Sequence, residues 1–224
     1  MSRKLTLDDI ADARAHERGR VDYRTTIIEL KKRRRVGVGP IITFVFENRE
    51  TMRFQIQEMA RAEKILSDGA IQAELDVYNP LIPEPGTLSA SMFIELTSEP
   101  ELRSWLPKLV GVEGGPVIGL PGASDGARRE VWAAVEARHQ AQLSRDDITA
   151  AVHYVRFEFS APEVDAFAAG PVELAVDHQN YPIRDEAQTG HRRRTTHRST
   201  ALIWGDRAKA GGLTKRVTNP FPSP

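Results

Sequence analysis

Apolar side chains are grouped unevenly along the chain, and their spacing predicts a series of short elements. Near the start, Thr6 is a helix-capping residue, with Asp8 and Asp9 placed to favour the helix dipole. Leu7, Ile10 and Ala11 follow at helical spacing. Gly19 is expected to interrupt this helix and Asp22 to restart it, with Tyr23, Ile27 and Leu30 on one face. Gly37, Gly39 and Pro40 then stop any helix. Residues 41–47 (IITFVFE) are β-branched and aromatic and predict a strand. Asn48-Arg49 is expected to turn, residues 50–66 to form a helix, and Asp68-Gly69 to end it. Residues 71–78 suggest a short strand, and NPLIPEPG (79–86) a proline-rich loop. Strands are predicted at 88–96, 117–120, 148–159 and 172–176, and helices at 100–109, 127–143 and 163–169, with a loop at 122–126. The mixture lacks a regular βαβ rhythm. It predicts an α+β fold, an antiparallel or mixed sheet packed on one face by helices.

The helix predicted at 50–66 carries the most chemistry. In projection, an arc of roughly 200° holds Met52, Phe54, Ile56, Met59, Ala62, Ile65 and Leu66. Arg53, Gln57, Ala60, Arg61 and Lys64 form the opposite, basic stripe, expected to face solvent. Gln55, Glu58 and Glu63 fall within the apolar arc. A carboxylate buried without a partner costs several kcal/mol, so Glu58 and Glu63 require partners. Arg33, Arg34, Arg35 and Arg49 are candidate guanidinium partners, giving a network that locks the basic N-terminal helix onto this one. Alternatively, His16 and His153 complete a metal site with Glu58 and Glu63. The five-residue separation of the two glutamates does not match a Glu-x-x-His metal motif, so the network is the favoured reading.

The 31 basic and 31 acidic side chains cancel, but they are not evenly distributed. Residues 1–35 carry 11 basic and 6 acidic groups, residues 36–183 carry 11 and 22, and residues 184–224 carry 9 and 3. An acidic body therefore lies between two basic ends. The expectation is one α+β domain over 1–183, including a basic helical N-terminal segment, and a basic, disordered tail over 184–224. The run Lys31, Lys32, Arg33, Arg34 and Arg35 is the strongest hint of nucleic-acid binding, but the acidic body argues against a broad nucleic-acid surface. No apolar run approaches membrane-spanning length and the N-terminus has no signal-peptide pattern, which predicts a soluble, cytoplasmic protein without membrane partners. The chain has no cysteine, so it cannot hold a cysteine-ligated iron–sulfur cluster or use a cysteine nucleophile. There is no Walker A loop, Rossmann fingerprint or Gly-x-Ser-x-Gly elbow.

Four stretches carry a resemblance: KKRRRVGVGPIITFVFENRETMRFQIQEMARAEKI (31–65), ELDVYNPLIPEPGTLSASMFIEL (74–96), AVHYVRFEF (151–159) and VDHQNY (176–181). Over residues 4–181 the chain resembles the bacterial domain-of-unknown-function family numbered 3501. The resemblance marks Glu47, Asn48, Arg49, Arg53, Gln55, Gln57, Glu58, Arg61, Glu63, Asp76, Tyr78 and Asn79 as a polar signature, to which Arg34 and Arg35 are added as members of a structural network. No catalytic role, substrate or cofactor comes with it. The family's genes are often found beside those of rubrerythrin-like proteins and an iron–sulfur, FAD-linked oxidoreductase. That implies an accessory or partner protein in a redox or oxidative-stress system, with an oxidoreductase as partner. After Tyr181 the family continues in an acidic, helix-forming segment, whereas this chain turns basic, so the departure is expected there.

Overall fold

The computed structural model describes residues 4–121, 129–135 and 147–183. A 3-10 turn (Leu7–Asp9) precedes the first long helix, α1 (Ala13–Lys32). The Asp12 carboxylate accepts hydrogen bonds from the Arg14 and Ala15 backbone N–H groups and so starts α1 six residues later than Thr6 suggests. The helix runs through Gly19 without a break. A glycine costs a helix about 1 kcal/mol relative to alanine, which twenty residues packed along a neighbouring helix can absorb. Lys31 and Lys32 lie in the last turn, beside the exposed carbonyls.

Two short strands form the first hairpin, β1 (Arg35–Val38) and β2 (Ile42–Phe46). The first of these is not evident from the sequence, where Gly37 reads as a helix stop. Asn48 caps α2 (Arg49–Ala62) by accepting from the Thr51 N–H. Lys64 takes φ +56, the left-handed conformation, and Ile65 N–H bonds back to the Ala60 carbonyl. This closes α2 four residues before the end predicted for it. Ser67 then caps α3 (Asp68–Tyr78), so Asp68-Gly69 begins a helix rather than ending one, and the strand predicted at 71–78 is helical. β3 (Thr87–Ile94), α4 (Glu99–Trp105) and β4 (Pro116–Leu120) match their predicted types. Part of the helix predicted at 127–143 is instead strand, β5 (Arg129–Trp132) and β6 (Ala134–Val135). The rest of that helix, the 122–126 loop and the tail from 184 lie outside the described residues. β7 (Val152–Glu158), α5 (Ala161–Ala169) and β8 (Glu173–Val176) complete the described fold.

The strands form two antiparallel sheets, a five-stranded one in the order β1-β2-β3-β7-β6 and a three-stranded one in the order β5-β4-β8. The α+β class with helices on one face is therefore as predicted, and the second small sheet is an addition to it. Strand alternation separates the two faces of the larger sheet. Phe44, Phe46, Met92 and Phe157 join Ile118, Leu120, Val131 and Val176 in the core between the sheets. The neighbouring positions Thr43, Ser89 and Ser91 point the other way and are also buried. On that side a second core gathers Met52 and Ile56 of α2, Leu75 and Tyr78 of α3, and Leu5, Leu81 and Ile82, with Tyr154 of β7 packed against it. The helices α1 and α2 pack together beyond this second core.

A candidate site where the N-terminal segment meets the second helix

The α2 face expected to be solvated is covered over its first turns, while Arg61 and Lys64 at its end stay exposed. Arg49, Arg53, Gln57 and Arg61 recur every four residues and so project from one side of the helix. All four engage the start of the chain. Arg49 Nη2 donates to Asp9 Oδ1 at 2.6 Å, and Arg53 Nε donates to the Asp9 carbonyl oxygen at 2.7 Å. Gln57, buried, accepts the Ala11 N–H at 3.0 Å and donates to the Ala11 carbonyl at 2.8 Å. Arg61 Nε meets Glu17 of α1 at 2.9 Å. Asn79 repeats the amide grip farther along, accepting the Leu5 N–H at 2.7 Å and donating to its carbonyl at 2.9 Å. The Lys4 ammonium reaches the Asn79 and Ile82 carbonyls and the Glu84 carboxylate, all at 3.0 Å. The Leu5 side chain is buried in the core of α2 and α3. Residues 4–11 are thus a strap held mainly by its backbone.

The predicted partnership of Glu58 is found, with a different arginine. Arg20 forks onto Glu58, with Nη2 at 2.7 Å from Oε2 and Nε at 2.9 Å from Oε1. His16 Nε2 lies 2.9 Å from the same Oε1. Arg20 hydrogen bonds, helped by His16 and opposed by burial, hold the Glu58 carboxyl down at about 2. An ionised carboxylate only accepts, so His16 Nε2 carries a hydrogen. The network does lock the N-terminal helix onto α2, as the sequence suggests. Arg20 was not identified, although it stands four residues from His16 on the same helix face, the spacing at which two side chains can share one partner.

The remaining candidates are dispersed. Glu63 is exposed at the end of α2, near Glu74 and Tyr78 and away from the His16 pair. His153 is buried in β7, its Nε2 2.9 Å from both Thr149 Oγ1 and the Ala150 carbonyl, and burial lowers its pKa. Glu58, Glu63, His16 and His153 therefore do not converge, and among the described residues no three His, Asp or Glu side chains are grouped to hold a metal ion. The basic run is also divided. Arg34 is buried and donates to the Phe46 carbonyl at 2.6 Å and the Glu47 carbonyl at 3.1 Å. Arg35 pairs with Glu95 at 2.6 Å and lies over the Phe93 ring, and Lys32 pairs with Glu29. Asp76 is exposed and accepts from Gln72 at 2.8 Å.

A second polar group lies between the larger sheet and the helices. Glu47 is buried, with Oε1 accepting from Ser91 Oγ at 2.6 Å. Tyr154, opposite Ser91 in the β-ladder, is pushed up to about 12 by burial, with Tyr78 and Glu47 adding to the effect. Burial raises the Tyr78 pKa, and Gln55 beside it opposes the rise. Ser91 is not picked out by the sequence, and Tyr154 is read there only as part of the strand at 148–159. Their adjacency arises from strand register across more than sixty residues of chain, which local patterns do not encode.

A half-open cavity of about 200 Å³ lies where the strap, α1, α2 and α3 meet. Leu7 and Ile10 of the strap, His16, Gln57, Leu66 and Ile71 are among its walls. Leu66 is 81% exposed.

Comparisons with known proteins bear on the fold and the family. A crystal structure of a novel protein of unknown function from Burkholderia pseudomallei K96243 is similar, with a TM-score of 0.74 and 33% sequence identity. The likeness covers 91% of this chain and 98% of that one. No curated protein matches. The family model described as Protein of unknown function (DUF3501) matches residues 4–197, so the likeness continues beyond Tyr181, where a departure was expected. This match over most of the chain places the protein in that family: it belongs to the DUF3501 proteins of unknown function.

Proposed function

We infer that the protein is an accessory protein that acts by binding a partner, and that the partner is an oxidoreductase of the kind the family resemblance implies. One observation carries the accessory reading. The signature side chains Arg49, Arg53, Gln57 and Asn79 are engaged with the backbone and the Asp9 side chain of the chain's own strap, rather than converging on a shared reaction centre. Residues held in that way build a shape. Arg34 likewise supports two backbone carbonyls. With no cysteine in the chain, thiol and iron–sulfur chemistry falls to the partner.

The test is co-purification of the tagged full chain with an iron–sulfur, FAD-linked oxidoreductase produced in the same cells. A complex that persists through size exclusion, or a measurable dissociation constant by calorimetry, supports the reading. Absence of any interaction at tens of micromolar of both proteins overturns it.

A further inference from the structure

We propose that the cavity beside His16 is a binding site for a small, neutral, mostly apolar molecule carrying one hydrogen-bond donor, such as a phenol, and that His16 Nδ1 is the acceptor. The proposal is independent of the partner reading above.

The argument starts from the ring. His16 is buried, lies on the cavity wall and has its Nε2 hydrogen fixed by Glu58. Glu58 is itself fixed by the Arg20 fork. When one imidazole nitrogen is committed to a carboxylate in this way, the tautomer is set, and in the neutral ring the other nitrogen is an acceptor. Apart from Asp68, which is exposed at the start of α3, the other polar groups of the wall are already engaged. Gln57 uses both ends of its amide on Ala11. Asp12 caps α1, and Arg61 pairs with Glu17. His16 Nδ1 is the ring position left for a ligand.

The rest of the cavity selects the ligand's body and charge. Leu7, Ile10, Leu66 and Ile71 supply apolar surface. The volume of about 200 Å³ compares with the roughly 150 Å³ of apolar cavity that accommodates benzene. One six-membered ring with one polar substituent therefore suits it. Asp12 and Asp68 are also lining residues and place negative charge there, which disfavours an anionic ligand. A neutral O–H or N–H donor fits both the acceptor and the charge.

The experiment is a titration of the full-length, 15N-labelled chain with phenol, following the His16 ring nitrogens by long-range proton–nitrogen correlation. Toluene and benzoate are titrated in parallel. The expected result is a saturable shift of His16 Nδ1 with phenol, binding at least about tenfold weaker for toluene and for benzoate, and about tenfold loss of phenol affinity in His16→Phe. Ile71→Trp, which fills the cavity from its edge and leaves the His16–Glu58 pair in place, is expected to abolish binding. If His16→Phe does not fold, the toluene comparison and Ile71→Trp decide. No saturable shift with millimolar phenol overturns the proposal. So do toluene or benzoate binding as tightly as phenol, or phenol affinity unchanged in the variants.

Discussion

The Asn79 side chain binds the Leu5 backbone as a neighbouring β-strand would, taking its N–H at 2.7 Å and giving an N–H to its carbonyl at 2.9 Å. Both groups belong to a segment with no sheet to join, and one primary amide satisfies the pair. Asn79→Ala removes both bonds and leaves the Leu5 main chain beside an apolar core. The expected cost is about 1–3 kcal/mol in urea unfolding, together with faster hydrogen exchange at Leu5 that does not spread to β2 or β3. Asn79→Asp keeps the acceptor and loses the donor, so it should fall between wild type and Asn79→Ala.

Glu58 makes stability depend on acid. Its folded pKa is about 2, against an ordinary value of 4.5. A depressed folded value means that the contribution is complete above pH 4.5 and is lost as the pH falls toward 2. Glu58→Gln should therefore lower stability by about 2 kcal/mol at pH 7, with a difference from wild type that narrows as the pH is lowered through this window. Urea midpoints at pH 7, 4 and 3 measure it. A difference that stays constant with pH would show that the carboxylate charge is not what the pair contributes.

Arg34 is a buried cation that donates hydrogen bonds to the Phe46 and Glu47 carbonyls at the end of β2. Arg34→Ala strands both carbonyls away from solvent and is expected to cost about 2–4 kcal/mol. Arg34→Lys retains the charge and loses the planar fork, so it should recover less than half of that. Thermal unfolding of the three proteins tests the order.

Gly39 has φ +66 and sits against the Tyr181 hydroxyl, which donates to the Val38 carbonyl at 2.7 Å and accepts from the Ile41 N–H at 3.2 Å. Any Cβ at Gly39 would collide with that hydroxyl. Gly39→Ala combines left-handed strain of about 1–2 kcal/mol with the clash. Tyr181→Phe removes the two hydrogen bonds and relieves the closest contact, leaving the ring Cζ and Ile183 Cγ1 at 3.0 Å from that Cβ. The double variant should therefore be less destabilised than the sum of the single ones, as a double-mutant cycle in chemical denaturation would show.

The legible parts of the fold were those decided by local chemistry. β2, β3 and β7 carry β-branched and aromatic residues at strand spacing, and their types follow directly. The misread parts had competing signals. Asp68-Gly69 resembles a helix end, but Ser67 is the stronger feature because its hydroxyl accepts from the Ala70 N–H and opens α3. Arg129–Trp132 lies in an alanine-rich, charged stretch with helical propensity, yet it pairs with β4, and that tertiary contact prevails. The site was legible in its principle, that Glu58 requires a partner, and not in its members. His16 and Arg20 reach Glu58 across 42 and 38 residues of chain. The basic stripe was misjudged for the same reason: projecting α2 alone cannot reveal that another segment of the chain covers it.

The Tyr181 hydroxyl fastens a hairpin turn made some 140 residues earlier. During synthesis, the β1–β2 turn emerges long before the group that secures it. Truncated products and stalled chains ending before Tyr181 therefore carry a first hairpin without its fastening. In those chains the β1–β2 ladder alone has to hold the turn.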